Sequence, residues 1–167
     1  PGFRLALLNA NEELLNKFVI AKQSMDLCSP TYTQLIALEF MRQGFLGPQI
    51  EKIRKMYGEK LNLMLKALEE HFPKDAKWTK PEGGMFCWAT LPEDFDTKEM
   101  FSKTIEKKVA YVIGSAFYPA GDVHNCMRLN FSHASNENID EGIRRLAAVI
   151  KARRDEPMRA RIPIASP

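Results

Sequence analysis

One seven-residue stretch, Cys126-Met127-Arg128-Leu129-Asn130-Phe131-Ser132, alternates apolar and polar side chains. A β-strand sends successive side chains to opposite faces. Met127, Leu129 and Phe131 therefore point to a core, and Arg128, Asn130 and Ser132 share the other face. A guanidinium beside an amide and a hydroxyl suits a carboxylate, because its planar fork grips two oxygens through parallel hydrogen bonds. The same pattern also describes a solvated strand face with an arginine in it. A second cation follows a tight turn in Pro1-Gly2-Phe3-Arg4. An arginine at a sheet end beside a turn can hold a phosphate, and equally it can close a strand with a surface charge. Gly83-Gly84 either makes a turn or lets the backbone lie close against a ligand, since neither residue has a Cβ.

Other chemistries find little support. His71, His124 and His133 form no metal-ligand spacing, and His124 with Cys126 lacks a further ligand pair, so no metal site is expected. Nucleophile-elbow and Walker-type phosphate loops are absent. Phe86, Trp88, Phe117 and Tyr118 belong either to a core or to a pocket wall, and the sequence does not separate these.

The elements that must position these residues come from an ordinary globular composition. The chain has 167 residues, 45% hydrophobic and 27% charged, which excludes wholesale disorder and collagen-like folds. A net charge of +3 is too small to argue for nucleic acid or a membrane surface as a partner. No apolar run approaches the roughly 18 residues of a membrane span. The cysteines Cys28, Cys87 and Cys126 are odd in number and far apart, which argues against a disulfide framework and for a reducing, cytoplasmic setting. The opening Pro1-Gly2-Phe3-Arg4 has neither initiator Met nor signal-peptide pattern and reads like the middle of a protein.

Leu5–Leu8 is a short apolar run expected to form a buried strand. Asn11 can cap the next helix, with Glu12 and Glu13 in its first turn and Leu14, Leu15, Phe18 and Val19 on one face. Cys28-Ser29-Pro30 breaks the chain before a second helix that stops near Gly44. From Pro48 to His71, apolar residues recur at three- and four-residue steps, predicting a helix about 36 Å long. Phe72-Pro73 ends it, and Gly58 permits a bend.

After Pro73 the pattern is strand–helix–strand–strand–helix. Met85–Ala89 is apolar on both faces and reads as a central strand. Asp96 caps a helix that buries Met100, Phe101 and Ile105. Val109–Ile113 and Cys126–Ser132 are strands. Ser135 caps a last helix with Ile139, Ile143, Leu146, Ala147 and Ile150 on one stripe. The fold class is α/β, a short sheet with packed helices. From Asp155 onward the residues lack periodicity and read as an extended tail.

These pieces together resemble the C-terminal part of class I/II pyridoxal-phosphate aminotransferases of fold type I, from Pro1 to about Ala152. The resemblance rests on Pro1-Gly2-Phe3-Arg4, Ser29-Pro30 with Gln34, Pro81-Glu82-Gly83-Gly84-Met85-Phe86, Gly114-Ser115-Ala116-Phe117 and Met127-Arg128-Leu129-Asn130-Phe131-Ser132. It implies the end of a large cofactor-binding domain over 1–46, a connecting helix over 47–72, a small domain over 73–153 and a tail over 154–167. Arg4 resembles the arginine that binds the phosphate of pyridoxal 5'-phosphate, and Arg128 the arginine that clamps the substrate α-carboxylate. Gly83 and Gly84 resemble the small-domain turn that approaches the substrate. The implied reaction is transamination between an amino acid and a 2-oxo acid, through a Schiff base on a lysine expected upstream of Pro1. No catalytic residue is therefore expected in the chain itself, which alone should be inactive. The resemblance further implies a homodimer and leans towards aromatic, branched or 2-aminoadipate-like substrates. Ile113 departs from the family, where many relatives have Pro. The same fold also serves as the effector-sensing module of transcription regulators and in pyridoxal-phosphate lyases or synthases, which stand as alternatives.

Overall fold

The computed structural model describes residues 2–155. The tail expected at the C-terminal end lies outside the described residues from 156 on, while Arg154 and Asp155 belong to the last helix rather than to a tail. The chain divides between Ile53 and Arg54 into two compact units.

The first unit is helical. Asn11 opens α1 (Glu12–Met25): its side-chain oxygen accepts the Leu14 N–H at 3.0 Å, and Glu12 and Glu13 occupy the first turn. Pro30 precedes α2 (Thr31–Arg42), and Gly44, with φ 74, closes it by donating its N–H to the Met41 carbonyl. The strand expected at Leu5–Leu8 does not form. That segment is irregular and exposed, with Leu7 at 96%. A strand exists only by pairing its backbone groups with a neighbour, and the helices of this unit offer no edge. The apolar face of α1 is also uncovered, with Leu14, Phe18 and Val19 about half exposed, and no residue of α1 or α2 is buried.

Helix α3 (Leu46–His71) runs for 26 residues, or about 39 Å. It starts two residues ahead of Pro48, which lies in the first turn, where its missing N–H costs nothing. Gly58 leaves the helix unbroken. The later part of α3 contributes Met64, Ala67 and Leu68 to the core of the second unit.

The second unit continues with β1 (Lys77–Trp78), β2 (Phe86–Thr90), α4 (Thr97–Glu106), β3 (Val112–Ile113), a 3-10 turn (Gly114–Phe117), β4 (Cys126–Asn130) and α5 (Asn136–Asp155). All neighbouring strands are antiparallel, in the order β1-β2-β4-β3, so β2 and β4 are central. One face of the sheet meets the helices. Cys87 and Ala89 of β2 and Met127 and Leu129 of β4 pack in one core with Leu68 of α3, Met100 of α4 and Ile143, Leu146 and Ile150 of α5.

Helix α4 buries a different set from the expected one. Ile105 is 47% exposed, while Thr97 and Thr104 are fully buried beside Met100. The Thr97 hydroxyl lies 2.9 Å from the carbonyls of both His124 and Cys126, and the Thr104 hydroxyl donates to the Phe101 carbonyl at 2.8 Å. Burial of these hydroxyls is tolerable because they are hydrogen-bonded. The strand expected over Val109–Ile113 shortens to Val112–Ile113. The Val109 N–H bonds the Thr104 carbonyl as α4 closes, and Lys108 takes a left-handed φ of 59. Among the described residues, no helix is long and apolar enough to cross a membrane.

Candidate functional site

Alternation along β4 places Arg128 on the sheet face opposite the helical core. The register sets Arg128 across from Trp88 on one side and Val112 on the other. Its guanidinium carbon lies 4.0 Å from the centre of the Phe86 ring and 4.9 Å from that of Phe117. Trp88 completes the cluster, edge-on to Phe117 at 5.4 Å and tilted to Tyr118 at 6.2 Å. A cation against aromatic faces is attracted by the ring quadrupole, and more strongly where water is excluded. The Nε–H of Arg128 is sealed from solvent and donates to no acceptor among the described residues. Buried polar groups are nearly always satisfied, and among the described residues only the Trp78 indole N–H shares with the Arg128 Nε–H the state of a buried side-chain donor left without a partner.

The chain reaches this arrangement through local devices. Met127 and Leu129 anchor β4 in the core, which turns Arg128 outward. The Asn130 side-chain oxygen accepts from the Ser132 N–H at 2.9 Å, the Ser132 hydroxyl at 3.1 Å and the His133 N–H at 3.2 Å. Lys60 of α3 donates to the carbonyls of Ser132 and Ala134, at 3.1 and 2.5 Å. Asn130 and Ser132 thus fasten the turn after β4. The other wall depends on Gly114, which is buried. A Cβ there would lie 2.6 Å from the Cys126 carbonyl carbon and Cβ, and closer still to the carbonyl oxygen. Only glycine lets the turn lie so close to β4.

Gly83 and Gly84 form the bend that leads into β2. Gly84 has φ 84, and a Cβ at either position would meet nothing within 4 Å. Arg4 belongs to the first unit, exposed after the Gly2-Phe3 turn, with a left-handed φ of 52. That conformation costs a non-glycine residue about 1–2 kcal/mol.

The sequence leaves Phe86, Trp88 and Phe117 between two readings, and the structure groups them with Arg128 outside the buried core of the second unit. Lys60 and Gly114 carried no obvious signal of their contacts, because both act on residues distant in the chain. Two other clusters lie away from this face. A cavity of about 420 Å³ opens on the core side, lined by Leu129, Ile139 and Arg145 among others. Beside it Arg144, and then Arg145, hold the Glu141 carboxyl below its ordinary range. Glu70, His71 and Asp140 bring one ligand atom each within 4.8 Å of one another, a mixed cluster on two helices that histidine spacing did not reveal. The cysteines are free. Cys28 is exposed, Cys87 and Cys126 are buried, and burial pushes the Cys87 thiol up to about 11.

Comparison with known proteins agrees with this architecture. Residues 1–146 match the family described as aminotransferase class I and II. Aromatic-amino-acid aminotransferase 1 of Thermococcus litoralis is 52% identical over 151 residues, which are 90% of this chain and 36% of that protein. The crystal structure of Pyrococcus horikoshii kynurenine aminotransferase, in complex with PMP and with KYN and KYA as substrate and product, superposes with a TM-score of 0.77 at 48% identity. It covers 87% of this chain and 36% of its own. The α-aminoadipate aminotransferase of Thermus thermophilus, complexed with N-(5'-phosphopyridoxyl)-L-leucine, gives a TM-score of 0.80 at 38% identity, covering 91% of this chain and 39% of its own. The chain spans little more than a third of the length of these relatives.

Proposed function

Because this chain belongs to the aminotransferase class I and II family, we propose that it serves amino-group transfer between an amino acid and a 2-oxo acid. In this reading Arg128 holds the substrate α-carboxylate and Arg4 holds the phosphate of pyridoxal 5'-phosphate. The observation that carries it is the guanidinium of Arg128, set against Phe86 and Phe117 with a buried Nε–H that has no acceptor among the described residues.

A carboxylate supplies what that guanidinium lacks: two oxygens in a plane, and an opposite charge. Gripping the carboxylate fixes the rest of the amino acid in one orientation, which is a proximity effect. The bend at Gly83-Gly84, bare of side chains, leaves room for the substrate to approach β2. Arg4 fits a phosphate by its chemistry, an exposed planar cation on a turn whose backbone is held in an unfavourable region. When bound, the cofactor supplies an electron sink for chemistry at the substrate Cα. The aromatic rings around Arg128 and the names of the relatives favour an aromatic amino acid as donor, with branched and 2-aminoadipate-like donors in the same range. A homodimer is the proposed assembly, with 1–46 as the end of a large cofactor-binding domain, 47–72 as connecting helix and 73–153 as small domain.

The test is steady-state transamination from phenylalanine to 2-oxoglutarate by the protein expressed from its complete gene. Arg128→Ala removes a charge-assisted contact of about 1.5–3 kcal/mol, so KM for phenylalanine rises by about tenfold to a hundredfold. An unchanged KM removes Arg128 from the substrate site.

A further inference from the structure

We infer that Phe117 is a positioning residue for Arg128, a ring held over the guanidinium by the Gly114–Phe117 turn so that the cation meets a carboxylate already oriented and shielded from water. The inference rests on the proposed role of Arg128 and extends it to a side chain with no polar group.

Three observations converge. Phe117 is 48% exposed, so core burial does not hold it in place. Its ring nevertheless contacts two neighbours on this face, Trp88 at 5.4 Å and the Arg128 guanidinium carbon at 4.9 Å. The turn that carries it is pinned at both ends. Val112 and Ile113 pair with Arg128 and Met127 just before it, and the Tyr118 N–H bonds the Ser115 carbonyl at 3.1 Å just after it. Between these points Gly114 lies so close to Cys126 that the turn has no room for a side chain there. A backbone pressed this tightly against β4 delivers the ring to the same place as the arginine it covers.

The physical consequence concerns the free guanidinium. An arginine on a solvated strand face samples many rotamers, and ordering it on binding costs up to about 2 kcal/mol of side-chain freedom. Rings at 4.0 and 4.9 Å remove that freedom beforehand and replace water on the faces of the cation. The guanidinium edge is then what remains for hydrogen bonding. Phe86 sits in β2 and comes with the sheet. Phe117 sits on a separate turn, so its contribution can be removed without touching a strand.

The experiment follows the Nε–Hε resonance of Arg128 in the 167-residue chain, assigned by its loss in Arg128→Lys. In the unliganded chain the resonance is shifted upfield by the rings and exchanges slowly with water. Phe117→Ala moves it towards the free-arginine position and speeds its exchange. Titration with 3-phenylpropanoate shifts the resonance, and Phe117→Ala weakens that binding by about threefold to thirtyfold. Phe117→Tyr, which keeps the π face, restores it. Phe117→Leu, which keeps apolar bulk without the quadrupole, restores it only in part and guards against loss of packing. A resonance and an affinity both blind to residue 117 overturn the positioning role. A wild-type resonance that ignores 3-phenylpropanoate contradicts the carboxylate role of Arg128 itself, and the positioning role falls with it.

Discussion

Gly114 shows how much of the site depends on an atom that is not there. The 3-10 turn touches the Cys126 backbone where any side chain would collide, and both the course of the turn and the location of Phe117 follow from that contact. Gly114→Ala forces the turn away from β4. Overpacking of this kind costs about 1–3 kcal/mol, which a shift of the urea midpoint measures. The same substitution at Gly83 meets open space and leaves the unfolding free energy within about 0.5 kcal/mol of the original. Equal effects at the two positions would contradict the close approach. Arg128 gains its character from its neighbours in the same way. On an open face its charge would be solvated, whereas between Phe86 and Phe117 it keeps a donor that water does not reach.

Helix α4 rests on local chemistry at its start and on distant contacts along its length. Asp96 accepts the N–H groups of Lys98 at 2.7 Å and Glu99 at 3.2 Å. Asp96→Ala leaves them without this partner, at a cost of about 1 kcal/mol in the denaturation free energy, and Asp96→Asn recovers most of it. Equal losses for Ala and Asn would mean that the acceptor oxygen is not what matters. Such caps are legible in a sequence because donor and acceptor lie two or three residues apart, as Asn11 and Ser135 also show. The α5 stripe was legible for the same reason, since Ile139, Ile143, Leu146, Ala147 and Ile150 repeat with the helix and are all buried. Pairing is a different matter. The pattern at Leu5–Leu8 suits a strand, but a ladder needs a second strand that local residues cannot supply. At β1, two residues were too few to show a period, and β2 makes them a strand. The site was legible by halves. Alternation revealed which way Arg128 faces, but nothing local revealed that Phe86 and Phe117 would meet it, or that Asn130 and Ser132 would be occupied with their own turn.

The two units differ in what holds them. The second has a continuous core from α3 through β2 and β4 to α5, while α1 and α2 bury no residue and leave Leu14, Phe18, Leu35 and Met41 at half exposure or more. Burial of apolar area is the main favourable term in folding, so local stability should follow this division. Hydrogen exchange of the 167-residue chain should find the amides of α1 and α2 exchanging well ahead of those in β2, β4 and α5. Equal protection would show that the apolar faces of the first unit are covered in solution. The proposed function itself comes down to one guanidinium and one carboxylate, and both can be removed independently. The decisive measurement compares kcat/KM for phenylalanine with that for 2-phenylethylamine, its decarboxylated counterpart, in the wild-type protein and in Arg128→Ala. The wild type should prefer the amino acid by at least about tenfold, the worth of one charge-assisted contact, and the variant should treat the two nearly alike. A variant that keeps the full preference would show that the carboxylate is recognised elsewhere.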